Sequence, residues 1–89
     1  MAFYSITYDL VRNRDYEKIA RGIKNISNDY WAKPTASQWI IRSEKTSEQV
    51  RDFLLNYIDH DDILFVIKVD IGNWHSYNVQ KSATDWLKS

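Results

Sequence analysis

The stretch FYSITYDL, residues 3–10, alternates aromatic or β-branched residues with smaller polar residues, and this alternation predicts a β-strand. The larger apolar side chains share one face of this strand and the polar side chains share the other: Tyr4, Ile6 and Tyr8 against Ser5, Thr7 and Asp9. The fold is therefore expected to contain a sheet with one apolar face that needs cover.

Two amphipathic helices are expected to provide this cover. The apolar residues between about Asp15 and Ser27 recur at spacings of three and four, which places them on one side of a helix. Thr46 and Gln49 match a capping box, which predicts the start of a second helix that ends near Asp59. Each helix then has one apolar face to pack against a sheet.

Further strands are predicted from composition and spacing. Residues 28–33 and 38–43 flank Pro34 and small polar residues, a pattern typical of a hairpin. The run ILFVIKV, residues 63–69, is almost continuously apolar, as expected for a strand buried on both faces. The alternating stretch Trp74 to Val79 is compatible with a fifth strand.

The chain is interpreted as one ferredoxin-like domain over residues 1–89, with a core at 1–70 and a carboxyl-terminal extension at 71–89. A length of 89 residues fits a single core, because neither half buries enough surface alone. In the extension, Ser82 with Asp85 predicts the capping of a last short turn.

The predicted order β-α-β-β-α-β belongs to the α+β class and matches the ferredoxin-like arrangement, an antiparallel sheet with two helices on one face. The side chains expected to face the helices are Tyr4, Ile6, Tyr8, Trp39, Ile41, Ile63, Phe65 and Ile67. Those expected on the open face are Ser5, Thr7, Asp9, Gln38, Ile40, Arg42, Leu64, Val66 and Lys68. Because half of this second set is apolar, we expect a second subunit, the extension or a nucleic acid to cover it.

Composition excludes several function classes. Twelve basic and twelve acidic residues give a formal net charge of zero, which excludes a polybasic chain that binds nucleic acid by bulk attraction. The absence of cysteine excludes a disulfide framework, a thiolate zinc site and a cysteine nucleophile. No apolar run approaches the roughly 20 residues that span a bilayer, and the first residues lack a basic signal-peptide start. We therefore expect a cytoplasmic protein without a membrane partner.

Four stretches carry a resemblance to a known family: Tyr8-Asp9, the basic turn Arg12 to Arg14, SQWII at residues 37–41 and DILFVIK at residues 62–68. Across about residues 2–70, they resemble the SinR-like relatives of the small CRISPR-associated spacer-acquisition nuclease. The resemblance implies a ferredoxin-like homodimer. It also implies either a metal-dependent nuclease or a structural member of an integration complex. In the nuclease case, the aspartate at the end of the first strand is catalytic, and this aspartate is Asp9.

Asp9 is therefore the candidate catalytic residue and the candidate metal ligand. Mg²⁺ prefers oxygen ligands, and two copies of Asp9 across a dimer axis would hold it together with water and phosphate oxygens. The alternative interpretation is that Asp9 anchors the turn before the first helix. Asp59, Asp61 and Asp62 are interpreted as a solvated turn between a helix and a strand.

Two function classes follow from these observations. In the first, a homodimer associates with DNA or RNA, and Arg12, Arg14, Arg42 and Lys68 contact phosphates. In the second, the chain is a non-catalytic interaction module, such as a phage or bacterial regulator or inhibitor. This module would dock on a protein partner through its open face, a sheet edge or the extension. The remaining aromatic candidates either cover the core or contact a base or a protein: Trp31, Trp74 and Tyr77.

Overall fold

The computed structural model describes all 89 residues, and its elements follow the expected order with one further helix at the end. The strands and helices are β1 (Ala2–Asp9), α1 (Tyr16–Ile26), β2 (Trp31–Thr35), β3 (Gln38–Ser43), α2 (Ser47–Leu54), β4 (Ile63–Val69) and α3 (Lys81–Lys88). A 3₁₀ turn at Leu55–Tyr57 extends α2. No helix has the length and apolar character required to cross a membrane.

Side-chain caps fix where the first two helices begin. The Asp15 carboxylate accepts a hydrogen bond of 3.0 Å from the Lys18 backbone N–H and so starts α1. The Thr46 hydroxyl accepts from the Gln49 N–H, and the Gln49 side chain accepts from the Thr46 N–H, as the capping box predicts. The predicted starts of both helices are confirmed.

The four strands form one sheet in the order β2-β3-β1-β4, and every pair of neighbours is antiparallel. The predicted α+β class with an antiparallel sheet is therefore confirmed. This order places β2 and β4 at the two edges of the sheet and β1 at its centre.

The main core lies between one face of the sheet and helices α1 and α2. Its buried members come from both layers: Tyr4, Ile6, Tyr8, Leu10, Ile19, Ile23, Trp39, Ile41, Val50 and Leu54. The Trp39 indole N–H donates a 2.9 Å hydrogen bond to the Tyr8 hydroxyl, so its polar atom is satisfied inside the core. The inward orientation expected for the β1 and β3 members is confirmed.

The prediction for β4 is wrong about which of its side chains face the core. Leu64 and Val66 pack against the core, because they pair with Tyr8 and Ile6 of β1. The expected inward residues instead lie on the opposite, exposed face: Ile63, Phe65 and Ile67. A continuously apolar run fits either alternation, so only the register with β1 decides which side chains are buried. The expectation of burial on both faces is also wrong, because β4 is an edge strand.

The hairpin also differs in detail from its prediction. Pro34 lies inside β2 rather than in the turn, which is formed by Ala36 and Ser37. The pairing with β3 shifts register between Ala32 and Thr35, across the proline. Pro34 has no N–H to donate to a ladder, and an edge strand tolerates this loss.

The extension forms a helix instead of a fifth strand and a capped turn. Residues 74–79 contain no strand, and α3 begins after Gln80 without a side-chain cap. Asp85, expected to cap with Ser82, instead accepts a 2.8 Å hydrogen bond from the Lys81 ammonium. The fifth-strand prediction and the capping prediction are both wrong.

Helix α3 packs on the sheet face that α1 and α2 leave open. Ala83 of α3 and Ala32 of β2 are both buried. Trp86 meets Phe3 of β1 edge to face, with ring centroids 6.2 Å apart. The extension therefore covers the β2 side of this face, whereas the β4 side has no cover.

Candidate functional site

Asp9 lies exposed at the end of β1, and its side chain forms no hydrogen bond or salt bridge. It is paired in register with Ile63 of β4 and shares that residue's face of the sheet. This is the face without cover from α1 and α2. A second molecule that packed on this face would therefore contact Asp9.

One chain does not supply the ligands for a divalent cation at Asp9. No group of three or more histidine, aspartate or glutamate side chains is arranged to hold a metal ion. Mg²⁺ takes about six oxygen ligands in near-octahedral geometry, and Asp9 offers a single carboxylate. The donor set of one chain does not fit the implied metal, and no catalytic step follows from it.

The four basic residues predicted to contact phosphates lie at opposite ends of the sheet. Arg12 and Arg14 follow the end of β1, whereas Arg42 and Lys68 pair with Phe3 and Tyr4 near its start. The five residue steps from Tyr4 to Asp9 extend over about 17 Å. Arg42 and Lys68 also point to opposite faces, because Phe3 and Tyr4 do. These residues do not form one basic patch on a single chain.

Arg12 is also engaged by an acidic neighbour. Its guanidinium forms a salt bridge with Asp61 in the turn before β4. A phosphate at this position would compete with that carboxylate. Arg14 is exposed and has a left-handed backbone conformation with a φ of 50°.

The aspartate-rich turn before β4 ties two loops together. One Asp62 carboxylate oxygen accepts a 2.8 Å hydrogen bond from the Val11 N–H, and the other accepts one of 2.8 Å from the Asp59 N–H. These two bonds hold the pKa of Asp62 below its ordinary value, and the bond from Val11 has the larger effect. The Asn13 amide donates to Asp59 across the same gap. The interpretation of this turn as merely solvated overlooked a structural anchor.

The exposed face of β4 carries a row of large apolar side chains, named here the β4 stripe. Ile63, Phe65 and Ile67 are 59%, 56% and 48% exposed, respectively. They alternate along an edge strand, so they point to one side, next to a free row of backbone N–H and C=O groups. Contiguous exposed apolar surface of this kind marks a contact site on a protein.

The opposite, β2 side of the molecule carries cations held over aromatic rings. The Lys24 ammonium lies 5.2 Å from the centroid of the Trp31 ring, and the Lys33 ammonium lies 5.4 Å from that of Trp39. The Arg42 guanidinium lies 4.5 Å from the Tyr30 ring, and its buried Nε has no hydrogen-bond partner. None of these three cations forms a salt bridge. This side of the chain is therefore positively charged and aromatic.

A groove of about 600 Å³ runs between β2 and the start of α3, and it is named here the β2–α3 groove. Its lining comes from both walls: Trp31, Ala32, Lys33, Pro34, Thr35 and Ala36 on one side, and Asn78, Gln80, Ser82, Ala83 and Trp86 on the other. No acidic residue lines it. A smaller cavity of about 350 Å³ lies beneath residues 69–79 and has a mainly apolar lining.

No protein-family model matches the chain, and no solved structure matches it significantly.

Two features of these surfaces were outside the reach of sequence reasoning. Nothing in the sequence spacing of Lys24 indicated that it would lie over the Trp31 ring. The sequence did not show which of the three candidate aromatic residues would be exposed. In the structure, Trp31 and Trp74 are half-buried, whereas Tyr77 is 87% exposed. Aromatic and basic residues close together around the hairpin were the available signal for the β2 side.

Proposed function

We propose that the chain is a homodimeric interaction protein that self-associates through the β4 stripe. The observation that carries this proposal is the exposure of Ile63, Phe65 and Ile67 on one face of a bare edge strand. Each large apolar side chain that becomes fully buried contributes about 1.5–3 kcal/mol. A contact over the whole stripe therefore provides a substantial driving force for association.

A second copy of the chain is the occupant that the charges favour. The stripe itself has no charged side chain, and the net charge of the chain is zero, so no overall charge opposes the approach of two copies. A stable interface buries about 800 Å² on each partner, more than three side chains provide. Val11 is a further exposed apolar residue near the start of β4, since it is 51% exposed and its N–H is bonded to Asp62, next to Ile63.

We also infer a ferredoxin-like arrangement and kinship with the SinR-like relatives of the CRISPR-associated nuclease. The antiparallel order β2-β3-β1-β4, with a helix after β1 and another after β3, supports the first inference. The position of Asp9 at the end of β1 supports the second. Both inferences agree with a homodimer as the working unit.

The molecular mass in solution tests the self-association. Light scattering at tens of micromolar should give twice the chain mass of 10.6 kDa for the natural protein, and Phe65→Lys should give the single-chain mass. Tyr77→Lys is the matched control, because Tyr77 is highly exposed and lies outside the stripe. A natural protein that stays a monomer without concentration dependence would contradict the proposal.

Association with a nucleic acid, with Asp9 as metal ligand and catalytic residue, is a second candidate function. It is favoured by the place of Asp9 beside Ile63, because a dimer built on the stripe brings two Asp9 carboxylates to one interface. Two carboxylates with water and phosphate oxygens make a more complete set of ligands for Mg²⁺.

A cleavage assay on DNA and RNA with and without Mg²⁺ tests this second candidate. The natural protein should cleave only with the metal, and Asp9→Asn should abolish cleavage while leaving the dimer mass unchanged. Cleavage that survives in Asp9→Asn would remove the role of Asp9. No cleavage by either protein would leave the non-catalytic interaction protein as the function.

A further inference from the structure

The cavity of about 350 Å³ beneath the extension is named here the extension cavity. Its floor is the outer face of the sheet, where Gln38 and Ile40 of β3 line it, and its roof is the extension, where Trp74 and Leu87 line it. We propose that this cavity binds a neutral aromatic small molecule of about two rings that carries one hydroxyl or N–H group. No residue of the β4 stripe lines the cavity, so its binding does not depend on self-association.

The size and the apolar lining of the cavity suit such a molecule. Small-ligand sites enclose about 300–1,000 Å³, and a dry apolar cavity of about 150 Å³ already accepts benzene. The extension cavity, at about 350 Å³, therefore has room for about two rings. Aliphatic side chains line both the floor and the roof: Ile40 and Val69 below, and Ile71, Val79 and Leu87 above. A ligand between them exchanges water for apolar contacts on both sides.

The charges of the lining favour a neutral ligand. No lysine or arginine lines the cavity, so an anion would lose hydration without meeting a cation. The one carboxylate in the lining belongs to Asp70, and it accepts a 2.8 Å hydrogen bond from the Gly72 N–H. Asp70 is exposed, so water screens its charge and a cationic ligand gains little from it.

Gln38 supplies a fixed hydrogen-bond acceptor on the floor of the cavity. Its amide N–H donates a 3.0 Å hydrogen bond to the hydroxyl oxygen of Ser5, which is itself buried. This bond holds the amide in place and leaves its carbonyl oxygen without a donor from the chain. A hydroxyl or N–H group of the ligand satisfies that oxygen. Trp74, half-buried in the roof, offers an aromatic ring for the rings of the ligand.

The extension is attached in a way that lets a ligand enter beneath it. No hydrogen bond or salt bridge joins residues 70–89 to residues 1–69, because the side-chain bonds of the extension are all internal. Apolar packing holds the extension in place, through buried Ala83 and through Trp86 on Phe3. A small outward movement therefore breaks no hydrogen bond, and a bound ligand adds apolar contacts between the extension and the sheet.

An NMR titration of the full chain tests the proposal. The probe is 1-naphthol, and the matched compounds are 1-naphthoate, an anion with the same rings, and naphthalene, which has no donor. In proton–nitrogen correlation spectra, 1-naphthol should shift the signals of lining residues such as Ile40 and Leu87, and the shifts should saturate. The charge of 1-naphthoate should weaken its binding at least about tenfold. Naphthalene should bind about threefold to tenfold more weakly, because it lacks the hydrogen bond.

Two substitutions connect binding to particular groups. Gln38→Met removes the acceptor at similar size, so it should weaken 1-naphthol about threefold to tenfold and leave naphthalene unchanged. Leu87→Trp fills the cavity and should abolish binding of both compounds. Leu55→Trp is the matched control and should bind normally, because Leu55 is 51% exposed on the 3₁₀ turn after α2. Circular dichroism checks folding, and Gln38→Met keeps the test decisive if Leu87→Trp does not fold.

Four results would overturn the proposal: no saturable binding of 1-naphthol, shifts at the β4 stripe instead of the cavity, equal affinity for either matched compound, or a preference for 1-naphthol over naphthalene that Gln38→Met leaves intact. Light scattering on the same samples reports self-association separately. A failure of the cavity is therefore distinguishable from a failure of the dimer.

Discussion

The two edges of the sheet differ in how they are protected. At the β2 edge, Pro34 interrupts the strand, α3 covers one face and lysines lie over the aromatic rings. At the β4 edge, no helix covers the outer face and Phe65 is more than half exposed. Proline, charge and a covering helix are the usual means of preventing edge strands from pairing with other chains. The β4 edge therefore lacks the protection that the β2 edge has.

The size of α3 explains why only one edge is covered. A helix has a diameter of about 10 Å with its side chains, and strands lie about 4.8 Å apart. One helix therefore covers about two of the four strands, and α3 takes the β2 side by packing Ala83 on the sheet and Trp86 on Phe3. The remaining apolar side chains of β4 have no element of this chain to cover them.

A carboxylate introduced at each edge in turn should give the largest difference in the free energy of unfolding. Ala32→Asp inserts a carboxylate beneath α3, where Ala32 is 3% exposed, and should lower the free energy of unfolding by about 3 kcal/mol or more. Phe65→Asp should change the free energy of unfolding of the monomer by less than about 1 kcal/mol. Urea denaturation in dilute solution measures both. Equal losses would contradict the assignment of one covered and one open edge.

Removal of the contact between α3 and β1 should lower the free energy of unfolding by an intermediate amount. Trp86→Ala deletes a half-buried ring packed edge to face on Phe3 and should cost about 2 kcal/mol. Tyr77→Ala is the control, because that ring is 87% exposed and should cost almost nothing. Thermal denaturation followed by circular dichroism compares the two variants. A loss confined to Tyr77→Ala would show that α3 does not cover this face.

Removal of the Asp62 anchor at the start of β4 should have the smallest effect on the free energy of unfolding, and this effect should depend on pH. The pKa of Asp62 is lowered in the folded state, so its contribution to stability is present above the ordinary value of 3.8. That contribution is lost as the pH falls through the lowered pKa. Asp62→Ala should therefore be less stable than the natural protein near neutral pH, and the difference should disappear once the pH is well below the lowered pKa.

Asp61→Ala controls for a general loss of charge from the same turn. Its salt bridge with Arg12 is solvent-exposed and should contribute little to stability. Urea denaturation across the pH range compares the three proteins. A stability difference for Asp62→Ala that persists unchanged in acid would mean that the charged carboxylate is not the source of the anchor.

Local signals in the sequence determined where the elements begin and which class they form. Asp15 and Thr46 cap their helices through bonds to residues three positions on, and such bonds need no tertiary context. The alternation of residues 3–10 likewise placed Tyr4, Ile6 and Tyr8 in the core. The α+β class and the expectation that Asp9 ends a strand followed from these local patterns.

Tertiary structure alone decided which surfaces are available for function. ILFVIKV is apolar at almost every position, so either alternation satisfies the sequence, and only pairing with β1 exposed Phe65 rather than Leu64. The place of α3 and the anchoring role of Asp62 likewise join residues far apart in the chain. The cations over Trp31 and Trp39 are closer to their rings in sequence, but only the packing of α1 and the hairpin brings each pair together. Periodicity reports which side chains share a face, but the neighbour that covers this face is fixed only when the whole chain packs.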